Sequence, residues 1–173
     1  MGIFRYAMLA VLFASPAQSA RAADPSAEEL RYVKEATKPD ALELISAKAP
    51  VATESSPVRV SFFFASWCGF CKKLHPKLDA LQQKYYRSGV RIVGVSTEEK
   101  IMEARKYAEA DKGLIPLYFL KEEKRPPKPE SLGVYPVVTV QDAKGRVVAM
   151  YTGYQEERFG QLEKAIRWTL KKE

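Results

Sequence analysis

The sequence predicts an α/β fold in which helices flank a central mixed sheet, preceded by a short N-terminal helical extension. Three observations lead to this prediction. Two continuous apolar runs, "VRVSFFF" and "VRIVGVS", are each followed by a segment of helical periodicity. A hairpin pattern and an amphipathic C-terminal helix then complete the order βαβα followed by ββα. A chain of 173 residues is long enough for one medium-sized domain with a short extension.

Residues 1–22 have the order of features that is typical of a secretory signal peptide. Arg5 precedes a short apolar run, and small residues follow at Ala20 and Ala22. The apolar run is shorter than the roughly 20 residues that a membrane-spanning helix needs. We therefore expect cleavage of this segment and export to the periplasm, with an uncleaved anchor as the alternative.

Residues 23–57 are predicted to form a helical extension and a linker. The letters "SAEE" offer a capping box from Ser26 to Glu29, and Pro39 can begin a second helix. The stretch "APVATESSP" at the end of this segment has the composition of a loop. It is therefore expected to connect the extension to a domain of residues 58–173.

The domain is predicted to begin with two strands and two helices in alternation. Val58–Phe64 and Val90–Ser96 have the uninterrupted apolar character of strands that are covered on both faces. Helical spacing follows the two cysteines, and Gly89 is expected to end that helix. Thr97 is expected to cap the next helix, which continues to about Ala110. This alternation predicts a parallel strand pair joined by a right-handed crossover.

The second half of the domain is predicted to contain a short strand, a loop, a hairpin and a helix. The short strand falls at Pro116–Leu120, and the exposed loop "KEEKRPPKPES" follows it. Val137–Tyr151 forms the hairpin, with its turn near Asp142–Gly145. Glu156–Lys172 has the pattern of an amphipathic helix.

Both cysteines of the chain, Cys68 and Cys71, lie in "FFFASWCGFCKKLHP" with two residues between them. A purely structural disulfide that closes so short a loop would constrain the unfolded chain very little. A zinc site formed with His75 would have to be completed within one helix. Covalent haem needs a histidine directly after the second cysteine, where Lys72 stands. Copper(I) held by the two thiolates remains an alternative, and otherwise we expect no metal and no cofactor.

The positive charge of the chain does not indicate a nucleic-acid partner. The formal net charge is +7, but basic and acidic residues are mixed almost everywhere, as in "KEEKRPPK". Nucleic-acid-binding proteins concentrate basic residues in stripes or combine them with stacking aromatic residues. We therefore expect a solvated charged surface and no nucleic acid.

The sequence resembles the thioredoxin-like superfamily. The resemblance rests on "WCGFC" opening a helix after a strand, Pro76 within that helix, and "YP" before a hairpin, and it covers about Val58 to Lys172. The signal peptide and the stretches "IVGVSTEE" and "PVVTVQDAKGRVV" are similar to those of exported TlpA/ResA-like thiol:disulfide oxidoreductases. The resemblance implies a thioredoxin-like fold and a redox-active dithiol.

The expected chemistry assigns different roles to the two thiols. Cys68 falls at a helix start, where free N–H groups and the helix dipole stabilise a thiolate. Cys71 falls one turn further along, where it can attack the mixed disulfide between Cys68 and a substrate. We expect Cys68 to be the exposed nucleophile and Cys71 the shielded resolving thiol.

Five further residues are expected to contact substrate. Gly69 and Phe70 lie between the cysteines, and Trp67 is expected at the rim of the site. The resemblance implies that Pro136 is cis and places the backbone of Tyr135 beside the dithiol, where a substrate strand can pair with it.

The sequence departs from its relatives at the positions that handle the second thiol's proton. Thioredoxins have a buried acid six residues before the first cysteine, and Phe62 stands there in this chain. TlpA/ResA-like proteins often have a glutamate six residues after it, and here that residue is Leu74. Either His75 or Glu98 substitutes, or Cys71 loses its proton slowly through water. His75 itself is expected at the surface or rim.

Together these features predict an exported thiol:disulfide oxidoreductase that reduces protein disulfides. The expected partners are disulfide-containing protein substrates and a membrane-bound or soluble thiol as electron donor, and we expect a monomer. A disulfide oxidase or isomerase would use the same dithiol, and a copper(I)-binding module would use the cysteines as ligands.

Overall fold

A computed structural model describes residues 25–49 and 56–173. The predicted signal peptide and most of the predicted linker lie outside the described residues. The described helices are α1 (Ala27–Ala36), α2 (Gly69–Tyr85), α3 (Ile101–Ala110) and α4 (Glu156–Leu170). The described strands are β1 (Leu42–Leu44), β2 (Val58–Phe64), β3 (Val90–Ser96), β4 (Leu117–Leu120), β5 (Val137–Asp142) and β6 (Val147–Thr152). None of these helices combines the length and the apolar character that crossing a membrane requires.

The six described strands form one mixed sheet in the order β1-β4-β3-β2-β5-β6. Strands β2, β3 and β4 run parallel, whereas β1, β5 and β6 join through antiparallel pairings. The predicted α/β fold with a mixed sheet is therefore confirmed. The strands predicted over Val58–Phe64 and Val90–Ser96 are present with those bounds, because each is a long apolar run covered on both faces.

The N-terminal extension differs from the prediction in its second half. The capping box is present, because the Ser26 N–H donates to Glu29 Oε2 at 2.7 Å and the Glu29 N–H donates to Ser26 Oγ at 3.2 Å. The second helix predicted from Pro39 is wrong, since Pro39–Ala41 is a single 3₁₀ turn that leads into β1. Strand β1 pairs antiparallel with β4 and so satisfies backbone groups along the outer edge of that strand.

The predicted helix cap at Thr97 is also wrong. Helix α3 begins at Ile101, and its N-cap residue, Lys100, makes no capping hydrogen bond with its side chain. The Thr97 N–H instead donates to the Phe64 carbonyl at 3.2 Å, which extends the pairing of β2 and β3 by one residue. Its hydroxyl group is hydrogen-bonded to the hydroxyl of Tyr135.

Buried side chains cover both faces of the sheet. Successive residues of β2 point to opposite faces, so Phe62 and Phe64 belong to one core cluster and Phe63 to the other. The first cluster lies against α2 and α4. The second includes Tyr32 and Val33 of α1. Helix α1 therefore covers one face of the sheet, and the domain boundary at residue 58 remains a prediction.

The hairpin turn forms where the sequence predicts it. The Asp142 carboxylate accepts hydrogen bonds from the Lys144 N–H at 3.0 Å and the Arg146 N–H at 2.9 Å. Burial acts to raise the pKa of Asp142, but the hydrogen bonds and charge of Arg146 outweigh it and hold that pKa below its ordinary value. Gly145 has a φ of 73°, a left-handed conformation that favours glycine. The turn thus depends on Asp142 for hydrogen bonds to the backbone and on Gly145 for a left-handed conformation.

Candidate active site

The two cysteines form a disulfide at the N-terminus of α2. Cys68 is the N-cap residue of that helix, and its Sγ accepts a hydrogen bond from the Cys71 N–H at 3.1 Å. The Cα atoms of Cys68 and Cys71 are 5.2 Å apart. The sulfur of Cys68 therefore lies at the positive end of the helix dipole, where a thiolate is stabilised after reduction.

The two cysteines lie at different depths, and Cys68 is less exposed than expected. Cys68 is 5% exposed and Cys71 is fully buried. The prediction of an exposed Cys68 is thus wrong, because this residue is almost completely buried, with its sulfur bonded to Cys71 and its N–H donating to the Ala65 carbonyl at 3.0 Å. The predicted order of depth is confirmed.

The Tyr135–Pro136 peptide bond is cis, as the resemblance implied. Directly after it, β5 pairs antiparallel with β2, the strand that leads into the cysteine loop. The Tyr135 hydroxyl accepts a hydrogen bond from Lys128 Nζ at 2.6 Å, and that cation lies 4.0 Å from the centre of the tyrosine ring. Together with the bond to Thr97, these contacts fix the Tyr135 side chain between two loops.

Two aromatic pairs lie next to the cysteines, since Trp67 directly precedes Cys68 and Phe70 directly precedes Cys71. Trp67 is 71% exposed and meets Tyr135 edge-on, with 5.9 Å between ring centres. Phe70 is also exposed and stacks on Tyr154 at 5.7 Å. Exposed apolar groups collected in one place indicate a surface that binds a partner. The predicted role of Trp67 at the rim of the substrate site stays a prediction.

The structure does not explain a glycine at position 69. A Cβ atom added to Gly69 would meet nothing within 4 Å, and its φ is not positive.

His75 is buried, so the prediction that it lies at the surface or rim is wrong. Its side chain is 4% exposed and its ring packs between the rings of Phe62 and Tyr107, at 5.9 and 6.2 Å. Nδ1 is 3.0 Å from the Tyr107 hydroxyl and 3.5 Å from Asp111 Oδ1. Nε2 is 3.9 Å from Asp79 Oδ1. A buried imidazole is tolerated here because α3 and the loop after it supply polar partners.

The chain matches a family model in its sequence and a solved structure in its fold. The model for thioredoxin matches residues 46–131, which include both cysteines. A Chlorobium tepidum protein described as a thiol:disulfide interchange protein, DsbE, is 25% identical, with a TM-score of 0.60 over 68% of this chain and 82% of that one. The chain belongs to the thioredoxin-like superfamily.

Other relatives of this thioredoxin-like protein share the fold or part of the sequence. StoA of Bacillus subtilis is 18% identical, with a TM-score of 0.56 over 73% of this chain and 96% of that one. The thioredoxin of Porphyra purpurea is 34% identical over 62 residues, 36% of this chain and 56% of that protein. Thioredoxin Asp f 28 of Aspergillus fumigatus is 45% identical over 47 residues, 27% of this chain and 41% of that protein. The matches thus span about half the length of these two curated relatives.

The thioredoxin-like protein surrounds its buried imidazole with fixed charges. We call His75, Asp79, Tyr107, Asp111 and Lys48 the histidine cluster. Asp79 Oδ1 accepts the Leu114 N–H at 2.7 Å and the Ile115 N–H at 3.0 Å, and Asp111 bonds to Lys48. The sequence did not predict that Tyr107 and Asp111 belong to this cluster. The only local signal was the helical spacing of Ala104, Tyr107 and Ala108.

Burial dominates the titration of two members of the cluster. It lowers the pKa of His75, although the Asp111 and Asp79 carboxylates act to raise it and Lys48 acts to lower it. Burial also raises the pKa of Tyr107 to about 12, and Asp111 and Asp79 add to that effect. The imidazole is therefore neutral and the phenol protonated at pH 7.

Glu98, the other residue predicted to accept the proton of Cys71, is hydrogen-bonded to two serines. Its carboxylate accepts hydrogen bonds from Ser66 Oγ at 2.6 Å and Ser96 Oγ at 3.1 Å. It also lines an open cavity of about 380 Å³ beside Trp67 and Tyr135. Within residues 25–49 and 56–173, no three histidine, cysteine or acidic side chains are grouped to hold a metal ion.

Proposed function

We propose that this thioredoxin-like protein is an exported thiol:disulfide oxidoreductase that reduces protein disulfides. The observation that supports it best is the Cys68–Cys71 pair at the N-terminus of α2, in which Cys68 is slightly exposed and Cys71 is fully buried. A structural disulfide across so short a loop would add little stability, whereas a reversible dithiol needs this spacing.

Each cysteine has its own step in the proposed reaction. The Cys68 thiolate attacks one sulfur of a substrate disulfide, forms a mixed disulfide, and releases the other substrate sulfur as a thiolate. The Cys71 thiol then loses its proton and attacks Cys68 Sγ. That attack forms the Cys68–Cys71 bond and expels the second substrate thiolate. The substrate gains two electrons, and a thiol donor, soluble or membrane-bound, returns them to the protein.

The proposed substrate site consists of Trp67, Gly69, Phe70, Tyr135 and Pro136. The exposed rings of Trp67 and Phe70 offer apolar surface on either side of Cys68. The cis peptide before Pro136 holds the chain at the start of β5, where the resemblance places a backbone edge for a substrate strand. Extended, unfolded segments with apolar side chains near the disulfide fit this arrangement.

Two further parts of the proposal, export of the protein and reduction rather than oxidation of the substrate, rest on their own observations. Export rests on the predicted signal peptide, and the DsbE description of the Chlorobium tepidum neighbour supports a role in thiol:disulfide interchange. The reducing direction rests on Gly69 and on the absence of histidine between the cysteines. We expect the protein to act as a periplasmic monomer.

An insulin reduction assay tests the activity. With dithiothreitol as donor, the protein should accelerate insulin reduction, Cys68→Ser should not, and a chelator should leave the rate unchanged. Tight copper(I) binding without reductase turnover would favour the copper module instead.

Equilibration of the Cys68–Cys71 couple with glutathione tests whether the protein acts as a reductant or an oxidant. The Cys68–Cys71 couple should lie nearer to thioredoxin's value of about −270 mV than to the value of about −120 mV of strong oxidants. A potential above about −150 mV would favour a disulfide oxidase.

A further inference from the structure

The buried position of Cys71 raises a question about its proton, and the answer rests on the proposed function. A thiol must become a thiolate before it attacks, and an apolar environment disfavours that ionisation. Cys71 is fully buried, and the positions that hold acids in relatives are occupied by Phe62 and Leu74, which are also buried. Fast resolution of the mixed disulfide therefore calls for a proton acceptor at another position, since loss of the proton to water alone would be slow.

His75 lies one helical turn from Cys71 on the same buried face of α2. Residues four positions apart are neighbours on a helix surface, and helical side chains incline toward the N-terminus. The side chain of His75 is thus a neighbour of the Cys71 side chain on this face of the helix. Its Nε2 atom is buried and has no hydrogen-bond partner among the described residues. A neutral imidazole has one nitrogen that accepts a proton.

The histidine cluster is suited to stabilise a transient imidazolium. The ring is neutral at pH 7 because burial lowers its pKa, so it is free to accept a proton. Once it is charged, the carboxylates of Asp111 and Asp79 lie 3.5 and 3.9 Å from its two nitrogens. Backbone N–H groups hold both carboxylates in place, at Gly113 for Asp111 and at Leu114 for Asp79. A base supported by fixed carboxylates is a recurrent arrangement in nucleophilic catalysis.

An open cavity connects the cluster to solvent. Tyr107 and Asp111 line a cavity of about 450 Å³, together with Ser66 of the cysteine loop and Lys72 of α2. The Tyr107 hydroxyl contacts His75 Nδ1. A proton taken up by the ring can therefore leave through groups that face water.

We propose that His75 accepts the proton of the Cys71 thiol when the mixed disulfide is resolved. The S–H bond of Cys71 breaks and the proton moves to the imidazole. The thiolate attacks Cys68 Sγ, the Cys68–Cys71 bond forms, and the bond from Cys68 to the substrate sulfur breaks with the electron pair on the substrate. The imidazolium then passes its proton to water or to the released thiolate, so that charge and protons balance.

A chromogenic aromatic disulfide, dithiobis(nitrobenzoate), separates the two chemical steps. Mixed with one equivalent of reduced protein, it releases one coloured thiolate when Cys68 attacks and a second when Cys71 resolves. At pH 7, His75→Gln should slow the second release at least about tenfold and change the first by less than about twofold. Tyr107→Phe should also slow the second release. Its matched control, Tyr85→Phe, removes a hydroxyl bonded to Glu163 and should change neither step.

The pH profile distinguishes proton transfer from a structural role. In the wild type, the second release should be nearly constant above the pKa of His75 and should fall in acid as the ring becomes protonated. In His75→Gln, it should rise in proportion to hydroxide concentration across the same range. An unchanged rate with an unchanged profile in His75→Gln would overturn the proposal.

A titration of the wild-type ring decides the question if His75→Gln does not fold. His75 is the only histidine of the chain, so untagged protein gives a single imidazole signal in NMR spectra. Its pKa should differ between the oxidised and reduced forms of the wild type. Cys71→Ser, which lacks the second thiol and cannot form the disulfide, should not show the value of the reduced wild type. An identical pKa in both forms would overturn the inference alone, whereas a wild type that releases neither thiolate would overturn the proposed function as well.

Discussion

His75 occupies an unusual place for an ionisable side chain. Its ring lies between two aromatic rings and two carboxylates, all within the fold. Burial is the largest influence on its pKa and lowers it from the ordinary value of 6.5. Between the folded-state pKa and 6.5, His75 binds a proton in the unfolded chain but not in the folded protein. The free energy of unfolding therefore depends on pH in this range.

That linkage predicts a loss of stability in weak acid. As pH falls below 7 through 6.5, the unfolded chain binds a proton at His75 while the folded chain does not, so the free energy of unfolding decreases. The decrease should stop below the folded-state pKa. Urea unfolding at pH 7 and pH 5 measures it, and His75→Gln should reduce the difference between the two midpoints. Equal wild-type midpoints would contradict a lowered pKa.

At the scale of elements, two glycines with open surroundings differ in their backbone conformation. A Cβ atom added at Gly145 or Gly160 would meet nothing within 4 Å, so neither position is crowded. Gly145 has a φ of 73° in the turn between β5 and β6, whereas Gly160 lies within α4. Only the backbone conformation separates them.

The two alanine variants should therefore change stability in opposite directions. Gly145→Ala forces a side chain into a left-handed conformation and should destabilise the protein by about 1–2 kcal/mol. Gly160→Ala lowers the entropy of the unfolded chain in a helical position and should stabilise it by about 0.5–1 kcal/mol. Urea unfolding checks both values, and changes of the same sign would contradict these assignments.

The elements also show which parts of this fold can be predicted from sequence. Strands β2 and β3 were predicted with the observed bounds because long buried runs have a strong local signal. Strand β1 has only three residues, and its existence depends on the edge of β4, which is distant in sequence. The spacing of Cys68 and Cys71 was informative, whereas the burial of His75 depends on Tyr107 and Asp111, which tertiary packing brings to it.

At the scale of the whole molecule, the N-terminal extension is integrated into the fold. Tyr32 and Val33 of α1 pack with Phe63 of β2 and Leu120 of β4 in the second core cluster. Strand β1 completes one edge of the sheet, and Lys48 after it bonds to Asp111 of the histidine cluster. The extension thus contributes to the core and to the surroundings of the active site.

Removal of the extension should therefore destabilise the domain. A protein of residues 56–173 exposes the face that α1 covers, and buried side chains of this size contribute about 1.5–3 kcal/mol each. Its free energy of unfolding should be at least about 3 kcal/mol lower than that of residues 25–173. Urea unfolding monitored by circular dichroism compares the two, and equal stability would support an independent domain from residue 58.

Trapping of mixed disulfides tests the central claim, that Cys68 attacks and Cys71 resolves, most directly. Cys71→Ser retains the nucleophile at the N-terminus of α2 but has no thiol to resolve the mixed disulfide. Incubated with insulin, it should accumulate covalent complexes that added reductant releases, whereas Cys68→Ser, whose remaining thiol is fully buried, should form almost none. Equal trapping by the two variants, or trapping by Cys68→Ser alone, would contradict the assignment.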